Sequence, residues 1–336
     1  MKIKEIFKNW WKWLVYHPEE IPLSGPKIVA IGGGSGLANL LGGLRKYTFN
    51  LSAIITVFDS GGSSGRLRRD FNIPALGDIR NCLVALAEKS ELMRDIFDYR
   101  FKKGRGLKGH SLGNLLLTAI FNMSSNLEEV VKVASAILNI KGEVIPASLE
   151  NSHLWAELSN GIKIKGEAKI PEEVVKRGSP IKDIWLSPQV KANPLAIKAI
   201  KNAEFVLIGP GSLYTSILPN FEVLNIKEAV NKTKAPVIYI ANIAQERGET
   251  MGFTVEDHID KLLDGGVMID LCLVNNRILK RAKDIKKFGE IENISTKKDV
   301  YRGVKIIKED LINIKNPLYH DSLKLAKIIM RLNEIE

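Results

Sequence analysis

The sequence predicts an α/β fold, a three-layer Rossmann-like parallel sheet with helices on both faces and a small antiparallel β insertion. Three observations lead there. Short β-branched apolar runs alternate with helical patterns, an order that fits a parallel sheet with right-handed crossovers. Three glycine-rich stretches each follow such a run: Ile31–Leu37 (IGGGSGL), Phe58–Arg69 (FDSGGSSGRLRR) and Gly209–Ser216 (GPGSLYTS). Residues 143–186 break the alternation with short strand-like runs joined by turns.

Residues 1–26 form an appendage in this reading, an amphipathic, Trp-rich helix. Ile3, Ile6, Phe7, Trp10 and Leu14 recur at helical spacing, thickened by Trp11 and Trp13, until His17-Pro18 and Ile21-Pro22 break the pattern. Its lysines could rest on an anionic membrane. Docking on the body or on another subunit is preferred, because Glu5, Glu19 and Glu20 leave the first 20 residues only +1.

The body is read as one nucleotide-binding unit over 27–330. Ile28–Ile31, Ile54–Phe58, Phe205–Ile208, Val237–Ile240 and Ile269–Val274 read as buried strands. Leu37–Lys46, Gly77–Glu88, Ser111–Asn122, Leu127–Leu138 and Val255–Leu263 read as helices. Within 143–186 the strands are Val144–Ala147, Leu154–Leu158, Ile162–Lys165 and Ile184–Leu186.

At 336 residues, 45% hydrophobic and 26% charged, the chain has an ordinary globular composition. Two cysteines fit neither a disulfide framework nor a metal site, and no apolar run is long enough to span a membrane, so a cytoplasmic protein is expected. The net charge of +11 raises nucleic acid as a partner, but the lysines are scattered and no strand is studded with aromatics. The tight group Arg66, Arg68 and Arg69 suits a small polyanion better than a duplex. No nucleic-acid partner is expected, and a homo-oligomer is.

Bare glycine backbone at the C-terminal edge of a parallel sheet cradles anions, helped by helix N-termini. Gly33, Gly34, Ser35 and Gly36 in the first loop, with Gly209, Gly211, Ser212, Tyr214 and Thr215 in the third, are therefore candidate ligand contacts. A dinucleotide fingerprint fails here: starting at Gly32 the sixth place is Leu37, and starting at Gly34 it is Asn39. Asp59 at the next strand's end keeps a nicotinamide oxidoreductase as a weak alternative. In the second loop Asp59, Gly61, Gly62, Ser63, Ser64 and Arg66 combine carboxylate, hydroxyls, bare backbone and guanidinium, an assortment for a phosphorylated, hydroxylated ligand. Asp78, Arg80 and Asn81 open the following helix, where Asp and Arg could instead pair with each other. Ser63 and Ser111 each sit in a G-x-S-x-G string, but Ser111 follows a basic loop, not a strand, and no clear packing helix follows Ser63. His110 or Ser111 suits a helix N-cap, with Asn114 one turn on and able to offer its amide to a ligand.

These strings together resemble the CofD/YvcK-like family, which joins 2-phospho-L-lactate transferase with the gluconeogenesis factor. The matching segments are Gly32–Leu37, Thr56–Arg68, Gly77–Leu83, Gly109–Leu116, Gly209–Asn220, Gly248–Thr250 and Gly252-Phe253. Arg-Leu-Arg, Gly-Asp-Ile-Arg-Asn and Gly-His-Ser-Leu-Gly-Asn resemble the gluconeogenesis-factor branch. The resemblance implies a Rossmann-like fold and binding of a uridine sugar nucleotide, UDP-N-acetylglucosamine. It also implies a regulatory role linking carbon supply to cell-wall synthesis and cell shape, with no settled catalytic activity. A transferase alternative would use Mg²⁺, with Asp59 as metal ligand and Asp59, Asp78 and His110 as catalytic candidates. The branch usually carries two adjacent acids where this chain has Asp59-Ser60, which weakens a two-acid metal site. Ala244–Thr250 also departs from the usual string.

Overall fold

The computed structural model describes residues 25–88, 91–277 and 292–332, so the expected Trp-rich helix lies almost wholly outside the described residues. The chain begins in β1 (Ile28–Gly32) and α1 (Gly34–Leu44), then β2 (Leu51–Ile55), α2 (Gly62–Phe71), α3 (Gly77–Leu86) and α4 (Glu91–Asp98). Next come α5 (Leu112–Ser124), α6 (Leu127–Leu138) and β3 (Glu143–Pro146). The insertion holds β4 (His153–Leu158), β5 (Lys163–Lys165), α7 (Lys169–Arg177) and β6 (Ile181–Ser187). The second half runs α8 (Pro194–Lys201), β7 (Phe205–Ile208), a wide helical turn at Leu213–Ile217, α9 (Leu218–Phe221), α10 (Ile226–Lys232) and β8 (Val237–Ile240). It closes with α11 (Val255–Asp264), β9 (Leu271–Asn275), β10 (Val300–Tyr301), β11 (Val304–Glu309) and α12 (Ser322–Leu332).

Eight strands form one sheet in the order β10-β11-β9-β8-β7-β1-β2-β3. All neighbours are parallel except β10 with β11. The central strands β1, β7 and β8 are buried at every position, as expected where helices cover both faces of a sheet. α1 packs on α3 and α12, and α8 on α10. The α1–α12 contact is close because Gly43 has no side chain: a Cβ there would lie 2.0 Å from the Ser322 carbonyl oxygen. The strand order reverses between β1 and β7, the switch point where open α/β sheets leave a crevice.

The expected fold class is present, with three differences in detail. β2 is Leu51–Ile55, not Ile54–Phe58. The Thr56 amide makes the last ladder contact, to the Gly32 carbonyl at 3.1 Å, after which Val57 turns away to accept from the Ala75 amide at 3.3 Å. β3 belongs to the main sheet, with Ser52 to Ile55 of β2 opposite Glu143 to Pro146 in parallel register, and not to the antiparallel insertion. The insertion proper is the three-stranded sheet β5-β4-β6 with α7, and its cross-strand Trp155 and Trp185 rings stack with centroids 6.1 Å apart. Finally, the arginines after Ser63 lie on a true helix, α2, which buries Leu67 and Arg68.

Candidate functional site

The three glycine-rich loops leave the C-terminal ends of three adjacent strands, β2, β1 and β7. At the switch point the loops after β1 and β7 touch. The Gly209 amide donates to the Ile31 carbonyl at 2.8 Å, and a Cβ on Gly36 would lie 2.6 Å from the Pro210 carbonyl oxygen. Gly34 sits at φ +68°, which a residue with a Cβ rarely adopts. Gly33 caps α1 without any side-chain hydrogen bond; the Gly34 amide is taken by Asp78, and the Ser35 and Gly36 amides that follow meet no capping side chain and can face an anion.

These loops border a cleft of about 310 Å³. One wall is Gly33–Gly36 with Gly211 and Ser212; the other comes from Asn242–Glu246 after β8 and from Leu318–His320 before α12. The Tyr319 hydroxyl meets the Ser35 hydroxyl at 3.0 Å, and Asn39 Nδ2 donates to the His320 carbonyl at 2.7 Å, which ties the far wall to α1. Asn242 Oδ1 accepts from the Gly211 amide at 3.2 Å, leaving its Nδ2 unpartnered among the described residues. Glu246 Oε2 and His320 Nε2 are likewise buried without a partner. Burial pushes His320 down to about 4 and the Glu246 carboxyl up. The wall therefore offers a neutral imidazole, an amide donor and a carboxyl.

Tyr214 and Thr215 do not line the cleft. Both are buried: Thr215 Oγ1 donates to Glu249 Oε1 at 2.6 Å, and the Tyr214 ring packs edge-on against Phe253 at 6.4 Å. Glu249 also accepts from the Tyr214 amide at 3.0 Å, so Gly248–Thr250 braces the turn after β7.

Beside the cleft lies a second group. Asp78 stands under Gly33, where a Cβ would come within 2.7 Å of Asp78 Oδ2. Burial, then Asp59, pushes Asp78 up to about 6, although the Gly34 amide, Arg80 and Asn81 favour its charged form. Asp78 does not pair with Arg80 in a salt bridge; that guanidinium reaches Asp98 at 3.7 Å and bonds the Asn81 side chain. Asp59 Oδ1 accepts from the Gly61 amide at 2.6 Å. Its second acid arrives from the insertion: Glu167 is hydrogen-bonded to Asp59 and accepts from the Ser60 amide at 3.4 Å across 107 positions of sequence. Burial and Asp59 lift Glu167 far above the ordinary carboxylate range, so Glu167 holds its proton. The Ser60 hydroxyl accepts from the Ala168 amide at 3.1 Å. Among the described residues no group of three His, Cys, Asp or Glu is spaced to hold a metal ion.

Ser63 and Ser64 begin α2. The Ser63 hydroxyl lies 2.9 Å from His110 Nδ1, and Asn114 Nδ2 donates to Ser63 at 3.1 Å and Ser64 at 3.4 Å. Ser63 accepts from Asn114 and is hydrogen-bonded to His110, whose pKa burial and Arg66 hold down, which favours the neutral imidazole. Asn114 thus spends its amide on the two serines, leaving its Oδ1 buried without a partner. Ser111 is the N-cap of α5, accepting from the Asn114 amide at 3.3 Å. Arg68 is a clamp: it donates to the carbonyls of Phe58 at 3.1 Å and Asp59 at 3.3 Å, and to that of Ser152 in the insertion. Arg66 does not reach the cleft; it donates to the Lys108 carbonyl at 2.9 Å. Sequence reasoning missed Glu167, Asn242, Glu246, Tyr319 and His320. None sits in a glycine-rich string, and only the topology brings them in.

Known proteins are similar to this chain over most of its length. The model of the family described as 2-phospho-L-lactate transferase CofD matches residues 28–312. A Bacillus subtilis protein named gluconeogenesis factor is 40% identical over 316 residues, 91% of this chain and 98% of that one. A Clostridium acetobutylicum relative is 43% identical over 94% of this chain and 71% of its own, whereas a Nostoc relative, 51% identical, is spanned over about half its length (51%). A crystal structure of a Bacillus halodurans protein, 37% identical, superposes with a TM-score of 0.85 over 91% of this chain and all of that one. No described helix is long and apolar enough to cross a membrane. The chain belongs to the 2-phospho-L-lactate transferase CofD family and, within it, falls among the proteins named gluconeogenesis factors.

Proposed function

We propose that this protein is a regulatory binder of a uridine sugar nucleotide, UDP-N-acetylglucosamine, through which carbon supply is linked to cell-wall synthesis and cell shape. The observation that carries the reading is the pairing of two unlike walls across one cleft. The bare backbone of Gly33–Gly36 and Gly211–Ser212, with the Ser35 and Gly36 amides at the start of α1, suits a pyrophosphate, while Asn242 Nδ2, Glu246 Oε2 and His320 Nε2 await the hydroxyls of a ribose or sugar. The name gluconeogenesis factor on several relatives supports the metabolic part of the reading. A binder that works by shifting a conformational or partner equilibrium needs no turnover.

A thermal-shift panel of UDP-N-acetylglucosamine, UDP, GDP, NAD and ATP tests it. A ligand at a hundredfold excess over its Kd adds about 2.7 kcal/mol to stability. UDP-N-acetylglucosamine is expected to give the largest shift; a shift with NAD and none with uridine nucleotides refutes the reading.

A second reading, a Mg²⁺-dependent phospholactyl or nucleotidyl-type transferase, is favoured by one arrangement: Asp59, paired with Glu167, and Ser64 both flank Gly77, and Ser64 follows Ser63, the partner of His110. The two carboxyls are the hard oxygen ligands Mg²⁺ takes, and a bound ion would displace the Glu167 proton and neutralise phosphate charge. Incubation with Mg²⁺, UDP-N-acetylglucosamine and alcohol acceptors separates the two. Intact ligand after hours supports the regulator, and release of UDP or UMP beyond one equivalent supports the transferase.

A further inference from the structure

Between α4 and α5 the chain makes a hairpin closed by paired backbone bonds, Phe101 amide to His110 carbonyl at 3.0 Å and Gly109 amide to Phe101 carbonyl at 2.8 Å. It carries Arg100, Lys102, Lys103, Arg105 and Lys108, and the neighbouring helix α2 adds Arg66 and Arg69. Among the described residues none of these seven has a carboxylate within 4.0 Å. Elsewhere on the surface several cations are paired, Lys182 with Glu157, Arg177 with Glu173, Lys232 with Glu228, and Arg302 with Asp260 and Asp264, and among the described residues the unpaired ones are not gathered on one hairpin. Asp70 is near enough to act on His110, but it is one acid against seven cations, and the excess positive charge is a cost to the folded protein that a bound anion removes.

Two of the seven are fixed in place. Arg66 Nη2 donates to the Lys108 carbonyl at 2.9 Å, and Arg100 Nη1 donates to the next carbonyl, that of Gly109, at 2.7 Å. Arg66 lies flat against bare backbone, since a Cβ on Gly109 would meet its Nη2 at 2.9 Å. Each guanidinium uses one N–H on the hairpin and keeps the rest of its donors for a ligand. Both also act on His110 electrostatically, so they converge on the same end of the hairpin. Ordering before binding is what lets a guanidinium pair hold a phosphate tightly. Neither arginine, nor any residue of the hairpin, borders the switch-point cleft.

We propose that Arg66 and Arg100, with the lysines of the 100–108 hairpin around them, form a second anion site, separate from the switch-point cleft, which takes the phosphate or oligophosphate group of a small phosphorylated molecule. The fixed pair, set on consecutive carbonyls, matches one compact group, whereas an extended polyanion would want its cations strung along a face. The ligand class is thus a phosphorylated metabolite that reports a second metabolic input to the same protein.

Inorganic tripolyphosphate is the probe, titrated by calorimetry against the full chain at low ionic strength. One equivalent is expected to bind, more weakly as salt rises. Arg66→Ala and Arg100→Ala should each weaken it about tenfold or more, Arg66→Lys should restore part, and Lys182→Ala should change nothing. Binding should persist with UDP-N-acetylglucosamine present at saturating level, and also in Gly36→Ala, whose cleft loops are forced apart; the latter arm holds whether or not the uridine nucleotide binds. The proposal is overturned if tripolyphosphate does not bind, if it competes for a single site in the cleft, if both arginine variants bind it normally, or if a single-stranded RNA oligomer binds this hairpin while tripolyphosphate does not.

Discussion

Asp78→Asn offers a quantitative test of the electrostatics beneath the first glycine loop. Asp78 is enclosed by Gly33, Thr56 and Asp59, and its pKa stands at about 6 against an ordinary 3.8. Because the folded state holds this proton more tightly than the unfolded chain, its stabilising contribution is complete below 3.8 and is lost as pH rises through about 6. At about 1.36 kcal/mol per pH unit the gap amounts to about 3 kcal/mol. Asparagine has the same shape, can still accept from the Gly34 amide through Oδ1, and does not titrate. With an unfolding entropy of about 2.1 cal/mol/K per residue, 3 kcal/mol corresponds to about 4 °C in Tm for a chain of this length. Melting curves of the two proteins from pH 4 to 8 should therefore converge at the acid end, with the variant gaining about 4 °C on the native chain by pH 8. Parallel curves, or a variant that falls behind as pH rises, would show that Asp78 is ionised in the folded protein.

Gly36→Ala should lower stability by about 1–3 kcal/mol and abolish the nucleotide-induced thermal shift, because the added methyl meets the Pro210 carbonyl oxygen at 2.6 Å and backbone must move. Arg68→Ala leaves the carbonyls of Phe58, Asp59 and Ser152 without their donor, and a loss of about 3 kcal/mol by denaturant titration is expected. Asn126→Ala, which removes the side chain that caps α6 through the Glu128 and Glu129 amides, should cost about 1 kcal/mol and leave ligand binding intact.

Much of the fold was legible because its signals are local. β1, β7 and β8 are short, β-branched and closed by glycine or a polar loop, and each forms where the pattern puts it. The helix Gly62–Phe71 was hidden by its own chemistry. Its polar residues face the site and its buried arginine reads as surface, so the apolar period never appears. The slip at β2 has a similar origin, since Val57-Phe58 continues an apolar run but leaves the sheet, Val57 pairing with Ala75 in the segment before α3. Val144 and Ile145 read the same whether their neighbour is parallel β2 or an antiparallel hairpin, and only long-range pairing decides. The glycine loops declared themselves as ligand contacts because bare backbone leaves a compositional trace. Glu167 and His320 leave none: each is a single residue in an unremarkable stretch, given its place by elements remote in sequence.

The reversal of strand order also sets a timetable for synthesis. β1 is the first strand made, yet its second neighbour, β7, follows more than a hundred residues later, and Tyr319, which meets Ser35 across the cleft, lies 284 positions further along. At about 5–20 residues per second, a ribosome takes roughly 15–60 s to cover that distance. Until β7 emerges, β1 stands with one edge bare, wholly apolar and open to pairing with a foreign strand. No nucleotide can shelter it, because one wall of the cleft has yet to be translated. The nascent chain is thus most exposed to aggregation, and most dependent on chaperones, during the interval in which its ligand is of no help.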